Sequence, residues 1–341
     1  MPVEPFVITV ENLSKSFPGK NSPVLALRDV SLEVGAGSIF GVVGPAASGK
    51  STLTRCVALQ EKPDRGVVRL DGLSTAGLDG RRLREVRRQV AVLDPVLHAE
   101  RTAAGNVAAP LEQLGIDGPQ RRTRVGQVLD VLGLTQRAGQ RPAELTPGQQ
   151  RRVALGRALA AGPAVLLADE PTGGLGNEEA GAVLTVLDRA RAELGVTVLL
   201  TTQDGSVVRR VCDDVAVLDS GRVVESGTLL DLLTNPASQV AESLLPAIDT
   251  PAAQAARYDR SADIVLIGFA AVGALLPEAA SRFDVELATI GGGLTRVGDT
   301  PVARFRVGVR GAQADTVLAW IADQGAHVTH RVEGPKKALA A

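Results

Sequence analysis

Residues Gly44 to Thr52 read GPAASGKST, a glycine, four residues, Gly-Lys and then Ser. This is the spacing of a phosphate-binding loop. Glycines let backbone N–H groups close around phosphate oxygens, a following helix adds its positive N-terminus, and a lysine supplies a mobile point charge. Gly44, Pro45, Ala46, Ala47, Ser48, Gly49, Lys50, Ser51 and Thr52 are therefore candidate phosphate ligands, with the Ser51 hydroxyl placed for Mg2+. An ordinary glycine-rich turn capping a helix is the plain alternative. The strand-like run Ile39 to Val43 before the loop and the helical pattern from Lys50 favour the cradle.

A second set of chemistry-bearing residues follows two apolar runs. Ala164 to Ala168 ends in Asp169-Glu170, and Val196 to Thr202 ends in Gln203-Asp204, with helical Glu179 to Leu194 between them. Buried parallel strands have this pattern, and ligands in such sheets sit beyond the strand C-termini. In a chain with a phosphate loop, Asp169 would hold Mg2+ and Glu170 would polarise the attacking water. A helix-start pair favoured by the dipole is the alternative.

The elements that must position these groups can be read in order. Val7 to Leu13, Val30 to Val34, Ile39 to Val43 and Val67 to Leu70 read as a mostly antiparallel opening set of strands. Gln89 to Leu93 is another strand, stopped at Asp94-Pro95 because the residue before proline avoids the helical region. From Pro95 to about Gly162 the pattern is helical, with Val125, Val128, Leu129 and Leu132 on one face. Val215 to Leu218 and Arg222 to Glu225 flank a turn and form an antiparallel tail to the sheet. Residues 235 to 261 read as a linker with a short helix near Ser238 to Leu245. Beyond it, strand Ile264 to Ile267, helix Leu275 to Arg282, strands Val285 to Ile290 and Val302 to Val309 around a Gly-rich turn, helix Ala314 to Gln324 and strand His327 to Val332 spell βαββαβ. That order is the ferredoxin-like split fold.

Composition bounds the function. At 341 residues the chain is long enough to hold two domains. Its 37 basic and 38 acidic residues leave a net charge of -1, and aromatics are 2%. Neither the electrostatic footprint nor the stacking platforms of a nucleic-acid binder are present. The Arg81 to Arg88 run reads as a solvated helix face, Arg151 and Arg152 as solvent-facing or ion-paired, and Trp320 as a core anchor. Cys56 and Cys212 have no metal or disulfide spacing and read as small core residues in a reducing compartment. His98, His327 and His330 form no metal-ligand spacing. Met1 to Phe6 lacks a basic targeting region, and the uncharged run Ile264 to Pro277 is too short to span a bilayer. The expectation is a soluble chain that reaches a membrane only through a partner.

Taken together, GPAASGKST, LTPGQQRRVALGRA at Leu145 to Ala158 and VLLADEPTGGLG at Val165 to Gly176 resemble the ATPase subunit of an ABC transporter, over about residues 6 to 245. The resemblance implies a P-loop NTPase, α/β, with a RecA-like core carrying antiparallel β and helical subdomains. It implies ATP and Mg2+ as cofactors, Phe17 stacked on adenine, and Thr146, Gly148 and Gln149 as the signature facing a second subunit's nucleotide. A second ATPase subunit, identical or different, and a membrane permease at the cytoplasmic face are implied partners. The tail, about residues 260 to 333, resembles the C-terminal regulatory domain of methionine-type importers on IGFAAVGALLPEAASRFDVELATIGGGLTRVGDTP and WIADQGAHV. Expected boundaries are residues 1–234 for the ATPase, with its helical subdomain at about 95–162, then linker 235–261, an α+β ferredoxin-like regulatory or dimerisation domain 262–333, and tail 334–341.

This sequence departs from the family pattern where the γ-phosphate would be enclosed. Asp94 stands for a Gln that ligates Mg2+, Pro147 for a signature Gly, Gly176 for an Asp that contacts the second subunit, and Gln203 for a His that contacts the γ-phosphate. Proline removes a backbone donor, and glutamine donates to phosphate without carrying charge. The expected function is the ATP-hydrolysing, energy-coupling subunit of an importer of methionine or a similar solute. The alternative is a degenerate nucleotide switch with little turnover. In the tail, the family's Asn-Ile-Leu falls on Ala288-Thr289-Ile290, so an amino-acid effector lacks its usual Asn and dimerisation is the main role expected.

Overall fold

The computed structural model describes residues 6–19 and 22–333, so the expected 334–341 tail lies outside the described residues. The chain divides into two units, Met1–Leu229 and Leu230–Ala341. In the first, strands β1 (Phe6–Phe17), β2 (Val24–Gly35), β3 (Ile39–Val43), β4 (Arg65–Leu70), β5 (Leu73–Ser74), β6 (Val90–Val92), β7 (Val165–Asp169), β8 (Thr197–Thr202), β9 (Asp214–Asp219) and β10 (Arg222–Thr228) form two sheets. The four-stranded sheet, β2-β1-β4-β5, is antiparallel. The six-stranded one, β10-β9-β3-β8-β7-β6, is parallel except for β10.

Strand β3 corrects the sequence expectation, which grouped it with the antiparallel strands. It lies parallel between β8 and β9. Its first four residues are all buried, and β8 is buried at every position, the mark of strands covered on both faces. Because β3, β7 and β8 are parallel neighbours or next-neighbours, the loop after β3, Asp169-Glu170 and Gln203 emerge at one end of the sheet. That is where such sheets bind ligands.

The helices of this unit are α1 (Lys50–Val57), α2 (Gly80–Arg88), α3 (Ala103–Gln113), α4 (Gly118–Val131), α5 (Pro147–Leu159), α6 (Asn177–Leu194) and α7 (Gly205–Val211). Val125, Val128, Leu129 and Leu132 are buried, as their spacing predicts. Helices α2 to α5 each begin with a side chain accepting a backbone N–H, from Asp79, Thr102, Asp117 and Thr146. Helix α1 has no such cap and no acidic residue in its first turn.

The second unit comprises α8 (Leu229–Thr234), α9 (Gln239–Leu244), α10 (Ala252–Ala255), β11 (Arg260–Ile267), α11 (Phe269–Val272), α12 (Leu275–Phe283), β12 (Glu286–Val297), β13 (Thr300–Arg310), α13 (Ala314–Asp323) and β14 (His327–Glu333). Its antiparallel sheet has the order β12-β13-β11-β14, that of a ferredoxin-like domain. The glycines at 291–293 are paired within β12 rather than forming the expected turn. Register shifts between Thr289 and Gly291, and Gly292 at φ 89° faces Arg304 so closely that a Cβ would lie 1.9 Å from its carbonyl oxygen. A glycine-dependent bulge is the reason a glycine run continues a strand.

One ion pair anchors this unit. Arg306 Nε and Nη2 donate to Asp263 Oδ1 and Oδ2 at 2.6 and 2.8 Å, with the Asp263 side chain 7% exposed. Asp263→Ala would leave the guanidinium unpaired beside the core. We expect a loss of about 2–3 kcal/mol, below the full cost of breaking a fully buried pair because Arg306 remains partly hydrated. Chemical unfolding followed by hydrogen exchange in β11 and β13 measures it; a shift below about 0.5 kcal/mol would show the pair dispensable.

Candidate nucleotide site

The phosphate loop leaves β3 and enters α1 through Gly49 at φ 110°. A Cβ there would lie 2.5 Å from the Ala26 carbonyl oxygen, so only glycine admits this approach of β2. Lys50 is 6% exposed, and its Nζ donates to the carbonyls of Gly44 at 2.7 Å and Pro45 at 2.8 Å. Burial pulls its pKa down, opposed by the charges of Glu170 and Asp169. The ammonium is thus held back over its own loop. The uncapped first turn of α1 leaves N–H donors free, and the buried Ser48 Oγ has no partner. Free donors with a lysine beside them are what an anion needs.

A cavity of about 540 Å³ opens over this loop. Ala46 through Thr52, Asp169, Glu170 and Gln203 line it, so most of the sequence candidates come together. Gly44 and Pro45 lie behind it as acceptors for Lys50. The carboxylates are anchored from β8: Thr201 Oγ1 donates to Asp169 Oδ1, and Thr202 Oγ1 donates to Glu170 Oε2 at 3.1 Å. Glu170 Oε1 is buried with no partner, leaving one carboxylate oxygen available to a water or ligand. These residues fit Mg2+ and a phosphate chain: an exposed Ser51 hydroxyl and an anchored Asp169 carboxylate line the same cavity as a cation and free N–H groups.

Sequence reasoning missed part of the wall. Val24, Leu25, Ala26 and Arg28 of β2, with Ser220 and Gly221 between β9 and β10, also line the cavity. Gly221 N donates to Ser48 O at 2.9 Å, and Arg28 N to Gly221 O at 2.7 Å, which draws all three segments together. No local pattern announces this, since the contacts join residues far apart in the chain. Val24 and Leu25 are exposed apolar side chains on this wall.

Several candidates sit outside the cavity. Phe17 pairs with Val24 in the β1–β2 register, at the cavity margin, with Lys15 Nζ 5.2 Å and Arg55 Cζ 6.0 Å from its ring. Asp94 accepts from Val96 N through Oδ1 at 3.0 Å and pairs with Arg157 through Oδ2 at 3.3 Å. Asp94, expected from sequence in the metal set, is not among the residues that line the cavity. Thr146, Gly148 and Gln149 also lie off the cavity, at the start of α5. There Gly148 N donates to Glu179 Oε1 at 3.2 Å, and the Thr146 hydroxyl together with that N–H holds the Glu179 carboxyl below its ordinary pKa.

The arginines after the signature are half-buried and bond to backbone carbonyls. Arg151 donates to the carbonyls of Glu170, Pro171 and Gly173, and Arg152 to that of Leu132. Both thiols are buried and free, and burial raises both pKa values, that of Cys56 to about 11. Among the described residues, no cluster of metal-ligating side chains forms without the nucleotide, and no helix is long and apolar enough to cross a membrane.

Residues 27–173 match the ABC transporter family, and residues 261–330 match the NIL domain. A methionine import ATP-binding protein of Thermobifida fusca is 39% identical over 322 residues, covering 93% of this chain and 98% of that protein. Its counterpart in Myxococcus xanthus is 38% identical, covering 96% of this chain and all of that protein. A dimeric ATP-binding cassette solved in a post-hydrolysis state with ADP and Pi bound superposes with a TM-score of 0.59 at 31% identity, covering 65% of this chain and 98% of that one. A component of a Clostridium perfringens ABC transporter complex gives a TM-score of 0.61 at 26% identity, covering 66% of this chain and 89% of that one. With its phosphate loop, carboxylate pair and C-terminal ferredoxin-like domain all in place, this chain belongs to the ABC-transporter family of methionine-import ATP-binding proteins.

Proposed function

We propose that this chain binds MgATP and hydrolyses it to drive methionine uptake through a membrane permease, acting as a pair of copies on the cytoplasmic face. The observation that carries the reading is the half-built cavity: phosphate loop, Asp169, Glu170 and Gln203 line it, while the signature residues of the same copy stand apart from it. A second copy is then required to bring Thr146, Gly148 and Gln149 to the phosphates. The relatives named for methionine import cover both units of this chain, which supports that solute over others.

In this reading the N–H groups of residues 46–51 hold the β-phosphate, and Lys50 turns from its loop carbonyls to neutralise phosphate charge. Ser51 and Asp169 would hold Mg2+, which supplies charge withdrawal from phosphate oxygens when bound. Glu170 Oε1 accepts a proton from the attacking water, while Thr202 keeps Oε2 fixed. Gln203 donates to the γ-phosphate without a positive charge, so we expect slow turnover. Gln203→His should raise kcat about 10-fold, since a donor at the same place would then be able to carry positive charge, and charge-assisted hydrogen bonds are roughly twice as strong as neutral ones. An unchanged kcat would show that the position does not limit the reaction.

The C-terminal unit serves chiefly to pair copies. Ala288 stands where the related domains carry an amide, and the twelve-residue β12 lies at the edge of its sheet, where antiparallel addition of a second copy's strand would pair the units. An amino-acid effector at this unit is the second reading. The deciding experiment is labelled methionine uptake into proteoliposomes containing this chain, its copurifying permease and its binding protein. ATP-dependent uptake is expected. Hydrolysis without uptake, or uptake of a different solute, would overturn the assignment.

A further inference from the structure

We propose that Arg151 is a positioning residue for Glu170, fixing the backbone on which the catalytic carboxylate stands. This rests on the reading of Glu170 as the base. Arg151 lies one turn past the signature residues in α5, and its guanidinium collects three carbonyls of the loop after β7. Nη1 donates to Glu170 O at 3.1 Å and Pro171 O at 2.8 Å, and Nη2 to Gly173 O at 3.3 Å. All three of these hydrogen bonds go to carbonyls, and burial pulls the pKa of the guanidinium down. A half-buried guanidinium that spans three carbonyls of one loop holds that loop at three points through its planar fork.

The loop it grips needs support. Glu170 sits at φ 44°, in the left-handed region, a conformation costing on the order of 1 kcal/mol or more and kept only where neighbours enforce it. On one side Glu170 N donates to Thr201 O at 2.9 Å. On the other, Glu170 O accepts from Gly173 N at 3.0 Å and from Arg151. With Thr202 on Oε2, the remaining unbonded polar atom of the residue is Oε1. Removing Arg151 would leave the outgoing peptide held by one N–H of a glycine turn, and displacements near 1 Å cost about 100-fold in rate. A lysine could reach one carbonyl at a time, since it lacks the planar fork.

The test uses the full-length chain. Arg151→Ala is expected to lower the single-turnover rate of ATP hydrolysis about 10- to 100-fold, with the Kd for ATP changed less than about 3-fold. Arg151→Lys should recover part of the loss, and keeps the proposal testable should the alanine variant fold poorly. In a Glu170→Gln background, Arg151→Ala should add no further loss, because two residues acting as one unit are not additive. An unimpaired Arg151→Ala, a loss that appears in ATP affinity instead of rate, or an additive loss in the double variant would overturn the positioning role. If Glu170→Gln itself hydrolyses normally, the base assignment is what fails.

Discussion

Glu170→Gln is expected to lower single-turnover ATP hydrolysis by about 100- to 10,000-fold while ATP remains bound, the range for losing a positioned general base. The carboxylate is anchored at Oε2 by Thr202, open at Oε1, and set beside the phosphate loop at the wall of the same cavity. Glutamine preserves the volume and an oxygen for Thr202, but it has no basic oxygen to take a proton from water. Bound ATP should therefore persist, and with it any dimer that ATP holds together. Rapid-quench measurement with excess enzyme separates this step from product release. Equal and negligible rates for the wild-type and variant chains would favour the degenerate switch. Equal and substantial rates would place the base elsewhere.

The second large effect falls on binding. Lys50→Ala should weaken ATP about 100-fold or more, measured by titration with a fluorescent ATP analogue, because a charge-assisted contact is lost from a buried position. The free chain gives the reason for a clean readout. Lys50 Nζ is held by Gly44 O and Pro45 O, so its removal costs the fold two hydrogen bonds to loop carbonyls and costs no ion pair. A Kd within about 3-fold of wild type would refute the cradle assignment. Folding is checked by the same variant's thermal midpoint, which should move only modestly for a part-exposed loop.

Continuous stretches were legible before any coordinates. GPAASGKST does its work through the backbone conformation of that very run, so its spacing alone announces a phosphate cradle. Asp169-Glu170 and Gln203 were legible for a related reason, because they end apolar strands and strand ends are where parallel sheets place their ligands. The βαββαβ order of the second unit follows from periodicity within each segment.

Contacts between distant segments could not be read in this way. Val24 to Ala26, Arg28 and Ser220-Gly221 become cavity wall only because Gly221 bridges Ser48 and Arg28. Ile39 to Val43 has one apolar pattern whether it lies in an antiparallel hairpin or in the middle of a parallel sheet, and its pairing with β8 and β9 is a long-range choice. Asp94 met Arg157 rather than the cavity, and Arg151 met the carbonyls behind Glu170 rather than solvent. The residue types and local spacing thus settled which chemistry this chain carries. Folding alone chose which side chains support that chemistry, because partners for a charge or a carbonyl are set by proximity in space, which no neighbour in sequence encodes.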